Sequence, residues 1–159
     1  MAIKLIAMDV DGVLTDGSFW WGPNGEEWKR FHFSDIMGLS RAHKAGLKLA
    51  LISGENSPLI DRLAVKMHIE DVVKSCRDKG TALREIAARR GVDISEVCFM
   101  GDDVNDLSAL EIAGLAAAPA DAQPAIRAKC GFVTTARGGN GAVRELIESI
   151  LAKAASGAE

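Results

Sequence analysis

Three short apolar runs, Ile3 to Met8, Leu47 to Ile52 and Val97 to Met100, recur along the chain with longer helix-like stretches between them. Runs of this length with little polar alternation are strands covered on both faces, the pattern of a parallel sheet in an α/β fold. Helices are predicted over Gly38 to Lys44, Pro58 to Met67, Lys79 to Arg90, Val104 to Ile112 and Ala142 to Ala154. In the third, Ala82, Leu83, Ile86, Ala87 and Arg90 share one helical face, and Gly91 stands where that helix should end. A doubly wound sheet follows. The 159 residues suit one domain, and no repeat or low-complexity linker divides them, so 1–159 is read as a single domain.

Residues 18–33, SFWWGPNGEEWKRFHF, break the alternation. Pro23 and Asn24 suit the centre of a turn, Gly25 suits a left-handed position, and the flanking aromatic runs predict a β-hairpin. Phe19, Trp20, Trp21, Trp28, Phe31 and Phe33 give it more aromatic surface than two strands can bury. Either the parent domain or another copy of the chain must cover it, and homo-oligomerisation is the expectation.

A net charge of -3 lacks the footprint of a nucleic-acid binder. Cys76, Cys98 and Cys130 are widely spaced, with no CxxC pair and no histidine pair to complete a zinc site, and are read as reduced. The opening MAIKLIAMDVDG is too short an apolar run for a signal peptide or a membrane span. A cytoplasmic protein without membrane contact is expected.

Ligands on open α/β sheets gather beyond the carboxyl ends of the strands. There the first run ends in Asp9-Val10-Asp11-Gly12, the second in Ser53-Gly54, and the third in Gly101-Asp102-Asp103-Val104-Asn105-Asp106. So many acids on one edge repel each other unless a cation neutralises them, and an all-oxygen set favours a hard ion such as Mg²⁺. Mg²⁺ leaves coordination positions for phosphate, which points to phosphoryl chemistry. Asp9, ionised at neutral pH by its ordinary pKa, suits a nucleophile at phosphorus. Asp11 is placed to give a proton to a leaving alcohol and later take one from water. Ser53, the backbone amides near Asp11 and Gly54, and Lys79 at a helix start can hold the phosphoryl oxygens.

On these residues the sequence resembles the haloacid dehalogenase superfamily. DVDGVLTDG at Asp9 to Gly17, Ser53 in LISG, Lys79, and GDDVND at Gly101 to Asp106 match its four motifs in order, across nearly the whole chain. The resemblance implies a Rossmann-like fold and a phosphatase with Asp9 as nucleophile and Asp11 as acid/base. Ser53 and Lys79 would clamp the phosphate. It implies Mg²⁺ held by the Asp9 carboxylate, the Asp11 carbonyl and Asp102, with Asp103 and Asp106 in support. The 25 residues between Ser53 and Lys79 leave no room for a cap domain, and the hairpin stands in its place as a flap.

With the glycine-rich tail from Gly138, this is similar to the capless phosphatases acting on 3-deoxy-manno-octulosonate 8-phosphate and its nonulosonate relatives. Those are homotetramers in which a neighbour's tail helps close the site. The substrate implied is a small phosphorylated sugar acid, met by Gly54, Glu55, Arg62, Lys66, Gly138, Gly139 and Arg144. Where the octulosonate enzymes read TGR or SGR, this chain has Ser53-Gly54-Glu55. That glutamate resembles the branch acting on nine-carbon sugar acids, such as 2-keto-3-deoxynononate 9-phosphate. The basic residue expected with it falls at Leu63, beside Arg62, while Lys66 is kept.

Other readings of the same residues stay open. Asp103, Asn105 and Asp106 also suit a helix cap, Glu55 a helix N-terminus, and Arg144 a helix surface. His32, His43 and His68 have no metal-site spacing; His32, on the hairpin, is the possible exception to a structural role. A receiver-type phosphorylation switch also combines acids, a lysine and Mg²⁺ on such a sheet. There, however, the phosphorylated aspartate ends a later strand, where Ser53 stands here. An oligomerisation module with a degraded site is a third reading, opposed by the complete motif set.

Overall fold

The computed structural model describes residues 2–157. Six parallel strands form one sheet in the order β5-β4-β1-β6-β7-β8, with β1 at Leu5–Met8, β4 at Lys48–Ile52, β5 at Asp71–Val73, β6 at Val97–Met100, β7 at Leu115–Ala118 and β8 at Phe132–Val133. The three apolar runs are thus the central strands. The shorter β5, β7 and β8 at the margins carry no long apolar run and escape a pattern-based reading.

Every residue of β1 and β6 is buried because both sheet faces are covered. Ile6 and Met8 face a core closed by α1 (Phe33–Lys44), α2 (Pro58–Met67) and α6 (Ala142–Ala155). Leu5 and Ala7 face the opposite core under α3 (Lys79–Arg90), α4 (Leu107–Ile112) and α5 (Pro124–Arg127). After β1 the chain moves to one side through β4 and β5, then returns to the other side of β1 as β6. That reversal opens a crevice at the carboxyl end of β1, between β4 and β6.

Local chemistry sets the helix ends. Ser57 caps α2, Asp78 caps α3 by accepting from Thr81 N, and Gly91 ends α3 at φ 65 as its sequence position predicts. The predicted helix over Val104 to Ile112 divides: Val104–Asp106 is a 3-10 turn held by Asp103 and Asp106, and α4 begins at Leu107.

The hairpin pairs β2 (Trp20–Trp21) with β3 (Glu27–Trp28) around a turn in which Gly25 has φ +87. It is shorter than the predicted 18–33 segment. Phe31 turns into the core, and Phe33 opens α1, five residues ahead of the predicted start at Gly38. His32 is the cap of that helix, its Nδ1 accepting from Ser34 N at 3.1 Å. The parent fold does not cover the rest of the aromatic load: Trp20, Trp21 and Trp28 remain 58%, 71% and 55% exposed.

The cysteines are free, Cys98 wholly buried. No helix among the described residues is long and apolar enough to cross a membrane.

Candidate active site

The crevice at the end of β1 is a cavity of about 480 Å³ lined by Asp9, Asp11, Ser53, Gly54, Glu55, Asp102, Asp103 and Asn105, with Gly17 and Phe19 at its hairpin side. Each strand-end motif reaches it because the parallel register brings Met8, Leu51 and Met100 level across three adjacent strands. Asn105, equally a helix-cap candidate by sequence, lines the wall.

Asp9 is 5% exposed; its Oδ1 accepts from Val10 N at 2.7 Å and lies 3.1 Å from Lys79 Nζ. Lys79 is 0% exposed, and its Nζ donates to Asp106 Oδ1 at 2.7 Å. It is the first residue of α3, which points it back along the helix toward the strand ends. Burial alone would lower its pKa, but Asp9 and Asp106 outweigh that and raise it, so it is charged.

Both oxygens of Asp106 are engaged. While Oδ1 holds Lys79, Oδ2 accepts from Asp102 N at 2.9 Å and Asp103 N at 3.3 Å. Its support is mechanical: it fixes the loop that presents Asp102. Asp103 in turn accepts from Val104 N.

One ligand oxygen each from Asp9, Asp102 and Asp106 lies within 4.8 Å of the others. Burial pushes the Asp9 carboxyl up, Asp106 adds to this, and Lys79 opposes it. Burial also raises Asp102, followed by the charges of Asp9, Asp106 and Asp103. Burial thus holds the Asp9 carboxyl above the ordinary carboxylate value assumed from the sequence, against the opposing Lys79 ammonium. A hard divalent cation at this cluster would offset the gathered charge, and the all-oxygen donor set fits Mg²⁺. The loop after β1 comes close as well. Gly12 has φ +87, and a Cβ there would stand 1.9 Å from Asp102 Oδ2, so only glycine lets this backbone approach the acid.

Ser53 is buried, and its Oγ accepts from Glu55 N at 3.0 Å. Glu55 itself lines the cavity.

The remaining expected contacts lie elsewhere in the chain. Arg62 and Lys66 line a neighbouring cavity with Phe31, Phe33, Ile36 and Leu63. Gly138 donates to Asp121 Oδ1 and Gly139 to Val13 O; a Cβ on either would strike the backbone of Gly12 or Thr15, so the tail props the first loop from behind. Arg144 bonds Glu148 and Ser34 O at the α1–α6 contact.

Sequence reasoning missed Lys29. Its Nζ is 2.6 Å from Asp11 Oδ1 and 3.2 Å from Glu27 Oε1, and its side chain is 1% exposed. Alternation places Glu27 and Lys29 on the side opposite Trp28, but nothing local names Asp11 as the partner.

A doubly wound sheet with acids gathered around a buried lysine at its switch point is what the four motifs of a haloacid dehalogenase-like hydrolase lead one to expect. The profile of the haloacid dehalogenase-like hydrolase family matches residues 55–146. The chain is 34% identical over 149 residues, 94% of its length and 79% of the relative's, to 3-deoxy-D-manno-octulosonate 8-phosphate phosphatase KdsC of Escherichia coli. Against the Haemophilus influenzae protein of that name the identity is 35%, over 94% of this chain and 83% of the relative. The crystal structure of the Moraxella catarrhalis phosphatase, in complex with magnesium, phosphate and KDO, superposes with a TM-score of 0.92 at 39% identity, over 94% of this chain and 86% of that one. The cobalt-bound Haemophilus influenzae phosphatase gives 0.91 at 35% identity, over 94% and 88%. The chain belongs to the haloacid dehalogenase-like hydrolases, in the branch that holds these phosphatases.

Proposed function

We propose that this hydrolase is a Mg²⁺-dependent phosphomonoesterase that converts 3-deoxy-D-manno-octulosonate 8-phosphate to the free sugar acid and phosphate. The observation that carries the reading is the meeting of buried Asp9 and Lys79 with half-buried Asp102 at one crevice, in a chain 34% identical to a phosphatase of that substrate.

An Asp9 carboxylate oxygen attacks phosphorus, the bond from phosphorus to the sugar oxygen breaks, and Asp11 gives its proton to the departing oxygen. Water then attacks the aspartyl-phosphate, Asp11 takes a proton from it, and phosphate leaves with the Asp9 carboxylate restored. Lys79 and Ser53, with the amides near Asp11 and Gly54, hold the phosphoryl oxygens through both steps. Mg²⁺ held by the Asp9 carboxylate, the Asp11 carbonyl and Asp102 would neutralise the charge gathered on phosphate and acids.

Glu55 favours a second reading. A carboxylate in the cavity wall suits sugar hydroxyls and opposes a substrate carboxylate, as in the branch acting on nine-carbon sugar acid 9-phosphates. A phosphate-release screen of eight- and nine-carbon keto-sugar acid phosphates with Mg²⁺ separates the two, and preference for an unrelated phosphate overturns both. Asp9→Asn should lower turnover roughly 10³-fold or more with the fold kept; activity persisting in that variant removes Asp9 as nucleophile.

The assembly is read as a homotetramer in the cytoplasm, with residues 1–159 as one domain and a hairpin flap in place of a cap. The exposed Trp20, Trp21 and Trp28 support association through hairpins. Association would also allow Arg62, Lys66 or the tail from Gly138 to serve a neighbour's site. Sedimentation showing a monomer at micromolar concentration would sink this part.

A further inference from the structure

We propose that Lys29 is the positioning residue for Asp11, holding its Oδ1 so that the carboxylate keeps one orientation at the cavity. The inference rests on the acid/base role given to Asp11 above and adds the group that orients it.

Lys29 lies just past β3, and it reaches across to the loop after β1. Its ammonium donates to Asp11 Oδ1 at 2.6 Å, faces Glu27 at 3.2 Å and stands 5.1 Å from the Phe19 ring centroid. With two carboxylates and an aromatic face around it, the cation is held in one place although its stem is flexible. Burying a lone lysine in this way is unfavourable, and the two acids offset it.

Asp11 is correspondingly restricted. Among the described residues, its Oδ2 is the buried side-chain oxygen with no hydrogen-bond partner. Oδ2 is shut off from solvent, so the ammonium on Oδ1 sets the orientation in which the Asp11 carboxylate meets the cavity. Asp11 and Phe19 both line the cavity that holds Asp9, so Lys29 couples the hairpin to the reacting centre.

The test compares full-length wild type, Lys29→Met and Lys29→Arg on p-nitrophenyl phosphate with Mg²⁺, in steady state and by rapid quench. p-Nitrophenolate departs without a proton, so the first step needs no acid, whereas water attack on the aspartyl-phosphate still needs a base. Lys29→Met should lower kcat roughly 10- to 100-fold and leave KM within about threefold. It should release a burst of about one p-nitrophenolate per site before the slow phase. Lys29→Arg should recover part of kcat, and a crystal structure of Lys29→Met should show the Asp11 carboxylate turned. A raised KM with kcat kept, equal slowing of the burst, or wild-type kcat would each overturn the proposal. If Lys29→Met does not fold, Lys29→Gln is read the same way, and failure of both to fold makes the lysine structural and overturns it. Inactive wild type would instead defeat the phosphatase reading, so the two failures are distinct.

Discussion

Lys79 and Asp106 form an ion pair of 2.7 Å with side chains 1% and 0% exposed, and Asp9 shares the same ammonium from 3.1 Å away. One lysine thereby fixes the candidate nucleophile and, through Asp106 Oδ2, the loop carrying Asp102. The two acids would repel across this space without it. Under the proposed function the same group serves both stability and phosphate binding.

Lys79→Met is expected to lower kcat/KM about 10²-fold or more, the cost of one donor to a phosphoryl oxygen. It should also destabilise the fold by about 3 kcal/mol, because two buried carboxylates lose their cation. Steady-state kinetics and urea unfolding check the two effects. A stable, active variant would show that the lysine is replaceable by water.

Mg²⁺ should raise the melting temperature, since it binds a charge cluster that exists only when folded. At about 100 times its Kd the gain is about 2.7 kcal/mol. Asp102→Asn should abolish most of that shift while leaving the metal-free melt near or above wild type, because one repelling charge is gone. Thermal melts with and without chelator decide this, and an undiminished shift would place the ion elsewhere.

On the opposite end of the sheet, the buried Asp71 accepts from Arg89 and Arg90. Burial pushes its carboxyl up, but the Arg90 and Arg89 bonds outweigh it and hold it below the usual value of 3.8. A depressed acid contributes stability above its unfolded pKa and loses it as pH falls through the folded one. Asp71→Asn should therefore cost about 1 kcal/mol at neutral pH, a small figure because Arg89 reaches solvent. The gap to wild type should close as pH drops below about 4. Denaturant midpoints measured across that range test it; a gap independent of pH would assign the loss to packing.

Helix α6 begins at Gly141 with no cap from its own sequence, and Asp35 of α1 supplies one, accepting from Arg144 N at 3.0 Å and Gly141 N at 3.3 Å. Asp35→Ala should cost about 1–2 kcal/mol, with Asp35→Asn keeping part of it. Hydrogen exchange should speed up first in the opening turn of α6. Exchange unchanged there would mean the cap is dispensable.

The comparison of Asp78 with Asp35 shows where a linear reading stops. Asp78 stands one residue before α3 and caps it, a relation visible in the order of residues. Asp35 caps a helix 106 residues away, and nothing in its neighbourhood announces that. In the same way Asp9, Ser53 and Asp102 were legible because each follows an apolar strand, whereas the role of the glycine tail behind the Gly12 loop was not. The marginal strands escaped for a different reason. β7 is Leu-Ala-Ala-Ala and β8 only two residues long, too short and too small in side chain for periodicity to register.

Strand-end position is a local property, so the order of residues alone determined the α/β class, the central strands and which acids face the crevice. Side-chain pairs between distant segments depend on how the layers close. Tertiary structure alone brought Lys29 to Asp11, Asp35 to the start of α6, and Arg62 with Lys66 to a cavity apart from Asp9. Packing decides these because the same charged side chain is equally content in water until burial removes that alternative and leaves one partner within reach.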